Sequence, residues 1–238
     1  MISRIFKHEI RNFTRDSMYI FFAIFPFIIA LISIFLMPYV KNNAPIIAYQ
    51  LITIVFLILN GMIYGAITGF TLLDDQDDQV LLSLKITPIS VKYYILIKLL
   101  FSYLIGIFAT AILLFSSGFY QDISNLMFIM IMLLAPLQAP MIALITNLFA
   151  SNKVEGFVAM KASGLILIGP IASIFVTNWS ELFIGILPGF WTTKLIFSQL
   201  PDTQTYLSQP YLYFIFGIII HILVIFILFK LYCKKQHI

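Results

Sequence analysis

Residues 72–90, LLDDQDDQVLLSLKITPIS, decide how the chain is organised, because they form a dense charged island in an apolar sequence. Four of the ten acidic residues fall within five positions: Asp74, Asp75, Asp77 and Asp78. A short apolar run at 80–84 follows, and then Thr87-Pro88. Uncharged segments long enough to cross a bilayer lie on both sides of the island. The island therefore marks a point where a membrane-embedded chain meets water.

The composition requires lipid as the main solvent of this chain. Its 238 residues are 61% hydrophobic and 10% charged, with a mean hydropathy of +1.03, so polar side chains are too few to cover a soluble globule. No long polar segment remains for a separate soluble domain. The single cysteine, Cys233, excludes an internal disulfide framework. The basic residues are spread along membrane flanks rather than gathered in one patch, so no nucleic-acid partner is expected.

The hydrophobic pattern predicts an all-α membrane protein with one transmembrane domain over 1–238. A span needs about 20 apolar residues, and six stretches qualify: 17–40, 46–73, 93–118, 125–150, 157–177 and 211–231. Residues 1–16 place apolar and basic side chains on opposite faces of a helix, which is typical of an amphipathic helix at the membrane interface. Residues 74–92 are then the loop between spans two and three.

A further apolar run at 182–193 is too short to cross a membrane and contains Pro188-Gly189. It predicts two short re-entrant or interfacial helices, roughly 180–187 and 190–199, within 178–210. The positive-inside rule then orients the chain. Twelve of the fourteen basic residues fall on the side of the island, and only Lys41 and Lys194 on the other. Both termini and the island are therefore expected in the cytoplasm of a cell-membrane protein, and 178–210 outside.

The sequence contains no motif for catalysis, for a metal or for ATP. There is no HExxH, no GxSxG and no GxxxxGK[ST], and the three histidines are far apart in the chain. Any ATP would therefore be bound by another chain. The span interiors are nearly free of charge, which opposes a proton-driven secondary transporter. Lys98, near the start of span three, is expected to snorkel to the interface. His221 is expected to be either a hydrogen-bonded interior residue or a pore-facing polar group.

Two interpretations of the island remain open at this point. A solvated acidic turn is the simpler one. The alternative is a docking element, because a short helix at 80–84 would expose leucines unless a partner covered them. Thr87-Pro88 would end that helix, since a residue before proline disfavours the helical region.

The order of these features resembles the permease subunits of ABC-2-type ABC exporters. In that family an acidic segment ends span two, and a short coupling helix with a Leu-Leu-x-x-x-x-Thr-Pro pattern contacts the ATPase subunit. The resemblance implies that ATPase coupling involves Asp74, Asp75, Asp77, Asp78, Val80, Leu81, Leu82, Leu84, Thr87 and Pro88. It also implies two ATPase chains, which bind ATP and Mg, and two permease chains that form a homodimer. The family's common Arg and Gly near the acidic residues are absent here.

The expected function is therefore export of a hydrophobic or amphipathic substrate, such as a drug, peptide or lipid-like molecule, by a subunit that is not itself an enzyme. A membrane scaffold, a secondary transporter and a six-span membrane enzyme are the competing classes. In span two, Gly61, Gly65 and Gly69 are spaced for close helix contact. That contact is expected either with another chain or within this one.

Overall fold

The computed structural model describes residues 17–88, 90–162, 168–199 and 205–238, and within these ranges the chain is helical without strands. The predicted interfacial helix over 1–16 lies outside the described residues. Seven helices precede the break at 163–167: α1 (Ser17–Asn43), α2 (Ile46–Asp77), α3 (Val80–Lys85), α4 (Val91–Ser116), α5 (Asn125–Leu134), α6 (Gln138–Phe149) and α7 (Lys153–Ala162). Four follow it: α8 (Ile168–Phe175), α9 (Glu181–Ile184), α10 (Phe190–Phe197) and α11 (Pro210–Lys235).

Five segments of the described chain are long and apolar enough to cross a membrane. They are α1, α2, α4, the continuous unit of α5 and α6, and α11. A 3-10 turn at Ala135–Leu137 joins α5 to α6 and carries Pro136, one of two prolines expected to interrupt span four. The other, Pro140, lies in the first turn of α6, where a missing amide proton is tolerated. Over the described residues, these five segments make the chain a helical, multi-pass membrane protein.

The predicted span at 157–177 is described only at its two ends. Helix α7 covers ten residues and α8 covers eight, and residues 163–167 between them lie outside the description. Neither helix alone approaches the roughly 20 residues that a span requires. Among the described residues the count of candidate spans is therefore five, against six predicted.

Helix α2 forms the centre of the bundle and packs most closely on α6. A Cβ atom added to Gly65 would lie 2.7 Å from both the Ala139 carbonyl oxygen and Ile142 Cβ. One added to Gly61 would lie 2.2 Å from Gln138 Cγ, whereas one added to Gly69 would meet nothing closer than 3.4 Å. The three glycines therefore face α6 of the same chain. Only Gly61 and Gly65 are so close to α6 that a larger side chain would not fit.

The segment after α8 enters the bundle with its Pro188-Gly189 turn. Gly189 has a φ of +80°, a left-handed conformation that permits the sharp turn after Pro188. A Cβ added to Gly189 would lie 3.5 Å from both Ile58 Cγ1 and Gln138 Oε1. Ile58 is twelve residues into α2, a depth of about 18 Å at the helical rise of 1.5 Å per residue. The turn thus lies beside the middle of two spans.

Helix α10 is buried over its whole length. Its Trp191 donates from Nε1 to the Gly185 carbonyl at 2.7 Å and packs against Gly217 of α11. Lys194 of the same helix forms an ion pair with Glu181 at 2.6 Å, and both side chains are almost completely buried. Lys194 also donates to the Val176 carbonyl. This charge pair holds the short helices of 178–210 to the end of α8.

The glycine contacts predict unequal effects of alanine at two neighbouring positions. Gly65→Ala should destabilise the protein by about 1–3 kcal/mol, because backbone of α6 must move to admit the methyl group. Gly69→Ala is the matched control and should leave stability unchanged or slightly higher. Thermal unfolding of the detergent-solubilised protein, followed by circular dichroism, measures both. Equal melting temperatures for the two variants would contradict the packing described here.

Candidate functional site

The acidic residues of the island belong to the end of α2 rather than to a loop. The helix continues four residues past the predicted end of span two and stops at Asp77. No glycine or proline interrupts this stretch, so nothing in the sequence ends the helix earlier. Carboxylates at a helix C-terminus oppose the helix dipole, and so each one that is not in water needs a partner. Gln79, with a φ of +57°, then turns the chain into α3.

Asp74 joins three helices at this end of the bundle. It accepts a hydrogen bond from the Tyr19 hydroxyl of α1. It also forms an ion pair of 3.1 Å with Lys153 of α7. The Lys153 ammonium lies 5.1 Å from the centroid of the Tyr19 ring, a cation–π distance. Asp74 therefore fixes the starts of α1 and α7 against the end of α2.

Asp75 forms a buried ion pair with Lys98 of α4. The two residues are 4% and 1% exposed. Asp75 also accepts from the Tyr94 hydroxyl at 3.0 Å, and Lys98 donates to the Thr71 carbonyl at 3.2 Å. The expectation that Lys98 snorkels is wrong, because a buried carboxylate lies within its reach. Asp75 is likewise corrected: it is enclosed by the protein and cannot touch a soluble partner directly.

A polar network behind α3 was not anticipated from the sequence. Gln76 donates from Nε2 to Asn147 Oδ1 at 2.9 Å and to the Tyr232 hydroxyl at 3.0 Å. Its Oε1 accepts from Gln236 at 2.9 Å. Lys235 donates to the carbonyls of Asn147 and Ala150 at 2.8 and 2.6 Å, which satisfies the end of α6. The ends of α2, α6 and α11 are therefore held together at the same end of the bundle.

Helix α3 divides its apolar side chains between the bundle and the surroundings. Leu81 is buried against α4, and Val80 and Leu84 are half-buried. Leu82 is 57% exposed. Ile86, one helical turn further on, is 90% exposed and was missed among the sequence-predicted site residues. Its spacing of four from Leu82 is the signal that could have found it.

The turn after α3 completes an exposed face. Thr87 donates from Oγ1 to the Leu84 carbonyl at 2.8 Å, which closes the end of the helix before Pro88. Asp77, Asp78, Thr87 and Pro88 are exposed beside Leu82 and Ile86. These six residues, which we call the docking face, combine two apolar side chains with two carboxylates. Such a face has the chemistry of a protein-binding surface.

Other candidate chemistry is not assembled in the described part of the chain. No group of three or more His, Cys, Asp or Glu side chains there could hold a metal ion. His221 is 1% exposed, and its Nδ1 lies 2.7 Å from the Gly217 carbonyl of the same helix. This agrees with the predicted interior histidine.

Residues 9–229 match the family described as "Fluoroquinolones export permease protein Rv2686c-like". The chain belongs to this family. Among its relatives are the fluoroquinolones export permease proteins Rv2686c and MT2760 of the Mycobacterium tuberculosis strains H37Rv and CDC 1551. Each is 28% identical over 193 residues, which cover 79% of this chain and 73% of the relative. No solved structure matches the chain. Membership in an export permease family confirms the predicted exporter permease and is consistent with the ABC-2-type resemblance.

The buried ion pair predicts that substituting Asp75 lowers stability much more than substituting Asp77. Asp75→Asn removes the carboxylate that pairs with the buried Lys98 ammonium and should cost about 3–5 kcal/mol of stability. Asp77→Asn, on the same turn but exposed, should cost little. Denaturant unfolding of the detergent-solubilised variants measures the difference. The double variant Asp75→Leu/Lys98→Met should recover most of the lost free energy of unfolding. If it does not, the two charges stabilise the fold by more than their mutual neutralisation.

Proposed function

We propose that this chain is the membrane-spanning permease subunit of an ATP-driven exporter, and that α3 couples it to a separate ATPase subunit. The observation that carries the proposal is the docking face. Leu82 of α3 and Ile86, the residue directly after that helix, are exposed at the end of the bundle, beside two exposed carboxylates. Apolar side chains among charged ones in water favour a protein partner that covers them.

The contacts of α3 with its neighbours would allow a movement of the ATPase to be transmitted to the spanning helices. Its Leu81 is anchored in the core, and its two flanking helices are joined by Asp75 and Lys98. A displacement of Leu82 and Ile86 by a bound partner would therefore move α2 and α4 rather than being absorbed by a flexible loop. Asp74 extends the connection to α1 and α7. Binding of ATP by the partner would in this way tilt the spans on which a translocation path depends.

The remaining features of the proposal follow from the family and the sequence. Two ATPase chains would bind ATP and Mg, and two copies of this chain would form the path, with no cofactor in the permease itself. The termini and the docking face would be cytoplasmic, in keeping with the distribution of basic residues. Residues 157–177 would form the sixth span, and the 178–210 segment would be re-entrant from the outer side. The depth of the Pro188-Gly189 turn supports that last placement.

The substrate is proposed to be hydrophobic or amphipathic. The names of the relatives make fluoroquinolones the first class to test. These are flat aromatic molecules carrying few charges, and apolar spans with many phenylalanines suit such a cargo. A membrane scaffold and a secondary transporter remain the alternative functions, and each gives a different experimental result.

Association with the ATPase should depend on the docking face. Leu82→Asp and Ile86→Asp each place a charge at the centre of the proposed contact, which typically weakens binding by about 2 kcal/mol or more. We expect either variant to lose the ATPase on affinity purification from the native host. Ile186→Asp is the control, because this residue is 54% exposed in the 178–210 segment, away from the docking face. Equal recovery of the ATPase with all three variants would refute coupling through α3.

Export should require both subunits. Cells that express this chain with its ATPase should accumulate less fluoroquinolone than cells that express the chain with a hydrolysis-deficient ATPase. Intracellular drug fluorescence measures the accumulation. Export by the permease alone would favour a secondary transporter. ATPase binding without export of any tested amphipathic compound would favour a scaffold.

A further inference from the structure

A basic recess lies beside the docking face, where α11 meets the start of α4. Lys92, Lys230 and Lys234 line a cavity of about 450 Å³ together with Phe226 and Phe229. An adjoining cavity of about 430 Å³ shares Lys92 and adds Lys85. Ile238, the last residue of the sequence, lines both cavities, and no Asp or Glu side chain of the described residues does so. The recess is therefore concave, strongly cationic and apolar on one wall.

The three central lysines are not used elsewhere in the described structure. Lys92, Lys230 and Lys234 are exposed and form no ion pair within the described ranges. Their neighbour Lys235 behaves differently, since it turns inward and binds the carbonyls at the end of α6. Three ammonium groups that form no ion pair within the described ranges surround one cavity and repel one another. An anion bound among them would relieve that repulsion.

The apolar wall places this cavity at the edge of the membrane. Phe226, Lys230 and Lys234 follow one another at intervals of four and so form one column on α11. Phe226 is 54% exposed, and the Lys230 ammonium lies 4.4 Å from the centroid of its ring. From Phe226 to Lys234 the column spans about 12 Å. It thus passes from hydrocarbon depth to the headgroup region.

We infer that this recess is a binding site for one anionic phospholipid of the leaflet nearest the docking face. The phosphate would lie among Lys92, Lys230 and Lys234, and an acyl chain would follow Phe226 and Phe229. Basic pockets between transmembrane helices bind anionic headgroups in this manner. A zwitterionic lipid fits less well, because its own cation would face three lysines. The site does not depend on ATPase coupling, since its residues lie outside the docking face.

The test is a lipid titration of the full chain in neutral detergent, read by native mass spectrometry. Phosphatidylglycerol should bind with defined stoichiometry and phosphatidylcholine much more weakly. Each lysine near an anionic lipid contributes enough for about a fivefold change in affinity. Lys230→Gln/Lys234→Gln should therefore weaken phosphatidylglycerol binding by about 30-fold. The control Lys41→Gln/Lys161→Gln removes the same charge from exposed lysines elsewhere and should change it less than threefold.

Several results would overturn the inference. Equal losses of phosphatidylglycerol affinity in the two double variants would mean that the net charge of the protein alone attracts the lipid. Equal binding of phosphatidylcholine would mean a non-selective apolar groove. Displacement of the lipid by millimolar inorganic phosphate would mean a site for a free anion. If the double variant does not fold, as judged by its melting temperature, Lys92→Gln tests the opposite wall alone, and an unchanged affinity there would also refute the site.

Discussion

A lysine and an aspartate enclosed by protein, Lys98 and Asp75, join the second spanning helix to the third. Removing both charges from water is costly, and the pair persists because Tyr94 and the Thr71 carbonyl supply further hydrogen bonds. The pair also fixes the distance between the end of α2 and the start of α4. Everything between those helices, including α3 and the docking face, therefore has fixed ends. Its geometry is a property of the bundle rather than of a free loop.

Lipid sets the second constraint, because hydrocarbon offers no partner for an unpaired backbone group. Among the described residues, the chain departs from regular helix beside the long helices at the 3-10 turn around Pro136 and at the Pro188-Gly189 turn. Both are surrounded by protein. Gly61 and Gly65 allow α6 to lie close to α2, and Gly217 allows α10 to approach α11. These glycines thus allow the helices to pack closely around the irregular backbone and to shield its polar groups from lipid.

The long helices could be predicted from the sequence because each contains an apolar run of about 20 residues or more. The short α9 and α10 could be placed because Pro188-Gly189 divides an apolar run. The partners of the charges could not be predicted, since Asp75 meets Lys98 only after α2 and α4 are packed. The same limit applies within α3, where Leu81 and Leu82 are equivalent in composition but one is buried and the other exposed. Ile86 was missed because it follows the helix instead of lying in it.

The hydrogen bonds of Gln76 have a consequence for how the protein is made. Its partners Tyr232 and Gln236 follow it by 156 and 160 residues. A ribosome delivers these residues long after α2 and α3 have emerged, and contacts so distant in sequence form late. The hydrogen bonds between the ends of α2 and α11 therefore form only after α11 has been made. Until then Gln76 lacks two of its hydrogen-bond partners, so the surroundings of α3 reach their final form late in synthesis.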